Sequence, residues 1–251
     1  MKFVDSETVQ KEVGDVTNFK EWLKEFKIDN ISQPAIDELI KMVEVAEERS
    51  KIALLDLLRL LMQYEPSAAH VLYKHWETFD ISIFQYLLCM DINDANNKVI
   101  HNYHLVSLKM LGNIYQTQTG IEFISDADHG SQIIQFCEYS LGSANPKTIF
   151  TAAVVLFNHV LTYKRDFQSI NQYLENFLMK VVENLHKIND NDALNAILLC
   201  EIRIIYKNAN ILTKVLQMKD KFVKAHTDLK NRTADASVKQ AIADLFLMLG
   251  E

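Results

Sequence analysis

LLDLLRLL, residues 54–61, places six leucines around one carboxylate, Asp56, and one guanidinium, Arg59. The run lies in a stretch from Ser50 to about Tyr64 that reads as one apolar helix. A guanidinium is costly to bury unpaired. Asp56 and Arg59 are i, i+3 neighbours on a helix and can pair with each other. The other reading is that this position must be polar because something outside the helix meets it there.

The rest of the chain bears on that choice. Long apolar helices begin near 50, 102, 148, 192 and 235, at spacings of 52, 46, 44 and 43 residues. HEAT and armadillo arrays repeat at roughly 40–47 residues, with two or three helices per unit. The spacing therefore predicts an all-α, armadillo/HEAT-like right-handed solenoid whose stacked units share one core. Aligned by their apolar runs, the helices read LLDLLRLL (54–61), SLKMLGNIY (107–115), VVLFNHVL (154–161) and CEIRIIY (200–206). The polar residues embedded in these runs are Arg59, Asn113, Asn158 and Arg203, separated by 54, 45 and 45.

In an armadillo array the third helix of each unit lines a concave groove. Four polar residues at one register then form a ladder for an extended peptide. Asn can bond both the N–H and the C=O of a peptide, and Arg can take a carboxylate through two parallel hydrogen bonds. Each residue taken singly has a structural explanation, such as the Asp56–Arg59 pair. Glu201 and Arg203 are two apart and do not face each other on a helix, so pairing accounts less well for Arg203.

Composition agrees with a helical chain. Gly (6) and Pro (3) are scarce in 251 residues, which favours long helices joined by short polar turns. A net charge of −7 argues against broad binding to nucleic acid or to an acidic membrane surface. Cys89, Cys137 and Cys200 lie far apart in apolar runs and are expected to be buried core thiols in a reducing compartment. The N-terminus lacks the apolar core of a signal peptide, and no apolar run is long enough to cross a bilayer. A soluble protein of the cytoplasm or nucleus is expected. Residues 1–16 read as an acidic arm or linker end, and 17–251 as the folded domain.

Helices are expected at about 17–28, from Gln33, over 50–64, from Pro66, and at 81–90. His101–Thr119 reads as a helix ended by Gly120. Shorter helices follow at 121–126 and 131–141, then longer ones at 147–163, 168–188, 192–207, 210–228 and 235–249.

Catalytic and metal motifs are not found. The chain has no HExxH, no GxxxxGK[ST] and no GxSxG. His101 and His104 are i, i+3, but no Cys or carboxylate cluster completes a metal site. For His101 a capping or groove-lining role is the better reading. Lys219, Lys221, Lys224, Lys230 and Arg232 alternate with Asp220 and Asp228 and read as a solvated face. The expectation is a non-enzyme with no cofactor and no metal.

The order ALLDLLRLLMQYEPSA, LVSLKMLGNIYQT, TIFTAAVVLFNHVLTY and DALNAILLCEIRIIYKN resembles the PUL domain. That domain ends the ubiquitin-binding proteins named for phospholipase A activation. The leading FKEWLKEFKIDNISQPAIDELIKMV is also similar to its start. The resemblance covers nearly the whole chain. It implies an armadillo-like fold of about six repeats. It also implies a partner, the acidic C-terminal tail of the valosin-containing hexameric AAA ATPase, held in a basic concave groove. The domain would then act without catalysis, as a monomeric module whose link to ubiquitin runs through other domains. On this resemblance Arg59, Arg203 and Lys207 meet the tail's carboxylates. Asn113 and Asn158 take the equivalent ladder positions, and the tail's tyrosine fits near Tyr103 or Tyr206. Two alternatives stand beside it. One is an armadillo scaffold for a different protein partner. The other is a lipid hydrolase, for which the chain offers no nucleophile and base.

Overall fold

The computed structural model describes residues 33–64, 73–94, 96–163 and 170–251. The expected arm over 1–16, the helix at 17–28 and the helix start at Pro66 lie outside those residues. Every regular element among the described residues is helical. Two compact units form along the chain. The first holds the described residues up to Met90 together with Asn97–Gly120, and the second holds Asp91–Asn96 and Ile121–Glu251.

In the first unit α1 (Gln33–Val45) packs on α2 (Glu48–Tyr64), and α2 packs on α5 (Lys98–Ile114). Between them the chain runs through α3 (Trp76–Phe79), a π-helical stretch Asp80–Gln85, and the single turn α4 (Tyr86–Leu88). The opening stretch explains the arrangement of α2. Leu54, Leu55, Leu58, Leu61 and Met62 are buried and fall on one side of the helix at i, i+1, i+4, i+7 and i+8. Leu57, Arg59 and Leu60 lie on the other side and are half-buried. Arg59 is therefore not in the apolar core that its neighbours in sequence suggest.

Short α6 (Gln118–Ile124) leads into the second unit. It corrects the expected boundary. α5 ends at Ile114, and Gly120 lies inside α6, not at the end of the helix before it. Thr117 starts α6, its Oγ1 accepting from Gly120 N over 3.0 Å. The second unit continues through α7 (Ala127–Ser140), α8 (Pro146–Thr162), α9 (Asn171–Asn184), a 3-10 turn at Leu185–Lys187, α10 (Asn191–Lys207), α11 (Ala209–Gln217), α12 (Lys219–Arg232) and α13 (Ala236–Met248). The expected helix over 210–228 is thus two helices, broken at Met218.

Side-chain caps set most of these starts. Asn97, Asp126, Asn145, Asp190, Asn208 and Asp235 each accept a hydrogen bond from a backbone N–H in the first turn of the helix they precede. Pro146 follows Asn145 at the first position of α8, where its missing N–H costs nothing.

The second unit has two rows of helices. α8, α10 and α13 stand side by side, and α7, α9 and α12 back them. The core between the rows is made of Phe136, Leu156, Phe177, Ile197, Leu198, Phe222 and Ile242, each at most 1% exposed. Burial of a side chain of this size contributes roughly 1.5–3 kcal/mol. This row of α8, α10 and α13 carries the surface of interest. Among the described residues no helix is long and apolar enough to cross a membrane.

Candidate functional site

The outward sides of α8 and α10 are unusually apolar. On α8, Phe150, Val154, Phe157 with Asn158, and Leu161 follow one another by single turns. Phe150 and Leu161 are exposed and the others half-buried. On α10, Leu199, Arg203, and Tyr206 with Lys207 repeat the pattern. Tyr206 is 71% exposed, and on neighbouring α13 Leu247 is 77% exposed. The large hydrophobic residues exposed among the described residues are Phe150, Leu161, Leu199, Tyr206, Leu216 and Leu247. All but Leu216 lie on the three adjacent helices. Concentrated apolar exposure of this kind marks an interaction surface.

On α8 and on the last two turns of α10 the exposed charges are of one sign. α8 contains no Asp or Glu. α10 contains Asp192 in its first turn and Glu201, which is turned inward and fully buried. Arg203 and Lys207 consequently have no ion-pair partner among the described residues. Lys207 Nζ sits 5.6 Å from the centre of the Tyr206 ring. Arg203 Nε is buried and makes no hydrogen bond among the described residues. Only Nε of this half-buried residue is closed off; the guanidinium carries further N–H donors and a charge that nothing among the described residues pairs.

The other expected site residues are placed differently. Arg59 Nε donates to Asp56 Oδ1 over 2.7 Å, and Nη1 reaches Gln63 Oε1 at 3.5 Å. Its charge is already matched. Asn113 Nδ2 donates to the backbone oxygen of Arg59 over 2.7 Å, and its Oδ1 accepts from Gln116. Arg59 and Asn113 thus belong to one network of the first unit. Asn158 is half-buried in the stripe of α8, and its backbone oxygen accepts from Thr162 Oγ1.

His101 and Tyr103 are buried, so neither lines an open groove. Tyr103 packs its ring 6.1 Å from that of Tyr86. α5 turns both residues toward the core, because an i, i+2 pair flanking its buried stripe is drawn in with Ile100 and His104. Burial holds His104 neutral, its pKa lowered to about 4 against the pull of a hydrogen bond with the Leu87 backbone. No group of three or more His, Cys, Asp or Glu among the described residues is placed to hold a metal. Cys137 and Cys200 are buried, and burial raises both thiols. Cys89, expected in the core, is exposed at the end of α4.

The basic strip near the C-terminus has structural partners. Lys219 pairs with Glu251 at 2.6 Å and Lys221 with Glu183 at 3.5 Å. Arg232 donates to the backbone oxygens of Leu185 and Ile188, tying α12 to the 3-10 turn. Sequence reasoning missed Phe150, Leu161, Leu199 and Leu247. Their signal was available: Phe150 and Leu161 share a helix side with Asn158, Leu199 shares one with Arg203 and Lys207, and Leu247 lies one turn from Asp244.

A helical protein that exposes large apolar side chains beside unpaired cations has the surface of a protein-interaction module. The chain belongs to the PUL domain family, whose pattern matches residues 2–244. That family consists of protein-interaction adaptor domains. The fold is similar to the crystal structure of an engineered protein from the Northeast Structural Genomics Consortium. The TM-score is 0.57 at 16% identity, covering 98% of this chain and 93% of that one. No curated protein matches the sequence.

Proposed function

We propose that this domain is a non-catalytic adaptor with an armadillo-like array of about six repeats. It holds the acidic C-terminal tail of a hexameric, valosin-containing AAA ATPase, and it serves ubiquitin-dependent degradation in the cytoplasm and nucleus. Membership of the PUL family supports a protein partner. The observation that carries the choice of an acidic peptide is Arg203. Its guanidinium has no ion-pair partner among the described residues, on a face with no free carboxylate nearby on α8 or on the last two turns of α10. A carboxylate supplies the missing counter-charge and accepts from the guanidinium's other N–H donors.

In this reading Arg203 and Lys207 take the carboxylates, and Leu199, Tyr206 and Phe157 take the apolar side chains between them. The Asn158 amide bonds the peptide backbone. Arg59 and Asn113, the other two ladder positions, lie in the first unit and are bonded to each other there. Calorimetry with the isolated tail peptide tests the proposal. Binding that an Arg203→Ala, Lys207→Ala variant weakens strongly supports it. Equal binding by parent and variant would remove the assignment of this face. A basic peptide binding better than the acidic one would remove the choice of partner.

A further inference from the structure

Glu201 and His226 join α10 to α12 by a contact that the apolar face does not account for. Both side chains are fully buried. His226 Nδ1 lies 2.8 Å from the backbone oxygen of Phe222. A carbonyl oxygen only accepts, so Nδ1 carries the hydrogen. The other nitrogen, Nε2, lies 2.9 Å from Glu201 Oε2. With Nδ1 protonated, a neutral ring offers Nε2 as an acceptor, and an ionised carboxylate is also an acceptor. The two meet at hydrogen-bond distance only if one further proton lies between them, on the ring or on the carboxyl group.

Nothing else supports that carboxyl group. Glu201 Oε1 has no hydrogen-bond partner among the described residues. The ring is held in place by the stacked side chain of Phe222, 4.3 Å between centres. The titratable neighbours are the buried thiols of Cys200 on α10 and Cys137 on α7, both uncharged because burial raises them. His159 on α8 is also buried and neutral. The charged residues of the helices packed on α12 stay at the surface, among them Glu175, Lys180 and Glu183 of α9 and Lys214 of α11. The same holds for Lys239 and Asp244 of α13, for His186 and Lys187 of the 3-10 turn, and for the charged residues of α12 itself. No second cation would compensate a bare Glu201.

We propose that Glu201 and His226 form a one-proton clamp holding α10 against α12, and that loss of the shared proton loosens the half of α10 that presents Leu199, Arg203, Tyr206 and Lys207. Glu201 and Arg203 are about 200° apart around the helix axis, so the clamp grips the inner side of the same turn whose outer side carries the guanidinium. Burial alone would lower the His226 pKa, but the charge and hydrogen bond of Glu201 outweigh it and the net shift is upward. The clamp is therefore closed on the acid side of the pair's titration and opens as the pH rises through it.

The test reads α10 itself and needs no peptide, so its failure is distinct from failure of the adaptor reading. Amide hydrogen exchange of residues 199–207, corrected for intrinsic rates, and the thermal midpoint are followed from pH 6 to 9.5. The parent is expected to lose protection above the titration point of the pair, by up to tenfold per pH unit for one linked proton, and its midpoint falls in parallel. In Glu201→Gln the side-chain amide donates to a neutral His226 without a shared proton, so that dependence disappears. If Glu201→Gln does not fold, the double variant Glu201→Leu, His226→Phe serves, because buried ion pairs often exchange for apolar pairs without loss. A flat parent profile, or a folded variant that keeps the parent's slope, overturns the proposal.

Discussion

Asn113 donates its side-chain N–H to the backbone oxygen of Arg59 over 2.7 Å. Two residues that the sequence places at one register of successive units are therefore bonded to each other within the first unit. The bond ties α5 to α2 at the middle of the LLDLLRLL helix. It gives Asn113 a structural task. Asn113→Ala is expected to cost about 1 kcal/mol, the usual net worth of one such hydrogen bond. Urea unfolding checks this as a lower midpoint with an unchanged slope. A variant as stable as the parent would show that the bond contributes nothing.

Gly120 gives a second stability test. A methyl group built on its Cα would lie 2.0 Å from the Ile114 backbone oxygen and 2.7 Å from the Tyr73 hydroxyl. The tyrosine can move, but the carbonyl is backbone and cannot without shifting the end of α5. In an ordinary helix Gly→Ala is stabilising. Here Gly120→Ala is expected to destabilise by about 1–3 kcal/mol, the range for overpacking. A rise in the thermal midpoint would mean that α6 accommodates the methyl group.

These cases show what the sequence could and could not reveal. The apolar periodicity located most of the described helices to within a few residues, because amphipathic burial is what holds them. Met218 could not be found that way. The buried residues Ile211, Val215, Phe222, His226 and Leu229 keep an unbroken helical spacing across it, and no Gly, Pro or capping side chain marks the break. Gly120 misled for the opposite reason, since glycine commonly ends helices but here makes room for a carbonyl. Along the polar ladder, spacing identified positions but not partners. Arg59 was neutralised by a local aspartate, Asn113 was spent on a backbone oxygen, and Arg203 was left open. His101 was read as a capping or groove-lining residue and Tyr103 as a neighbour of the bound tyrosine, yet α5 buries both. The aliphatic residues of the exposed face went unread because large apolar side chains are assigned to a core by default.

Buried histidines give the protein a defined acid response. His104 and His159 are both held neutral by burial, each with its pKa lowered to about 4 from an ordinary 6.5. A lowered folded-state value means that the unfolded chain takes up the proton first. The stability these groups contribute is complete above pH 6.5 and is lost as the pH falls from 6.5 towards 4. The loss approaches roughly 3 kcal/mol per histidine at the bottom of that window. His226 is shifted the other way, so its contribution is present below 6.5 and lost as the pH rises through its raised folded-state value. Denaturant unfolding at several pH values is expected to show a steep fall between pH 6 and 4. His159→Gln should flatten it by up to about half.

Arg203 and Arg59 are both guanidinium groups in apolar runs, but only one is available to a ligand. Arg59 lies 2.7 Å from Asp56, and that pair screens its charge. Arg203 is half-buried with neither an ion pair nor a bonded Nε among the described residues. A charge-assisted hydrogen bond is worth about 1.5–3 kcal/mol. Arg203→Ala is therefore expected to weaken binding of the acidic tail peptide on the order of tenfold to a hundredfold, and Arg59→Ala much less. Arg203→Lys should restore only part of the loss, because an ammonium group cannot present two parallel donors to a carboxylate. Arg203→Ala should not lower the thermal midpoint through a lost Nε bond, since Nε makes none among the described residues. Calorimetry at two salt concentrations, with thermal unfolding of the same samples, separates these outcomes. If Arg59→Ala lost as much affinity as Arg203→Ala, the distinction between a paired and an open guanidinium would be wrong.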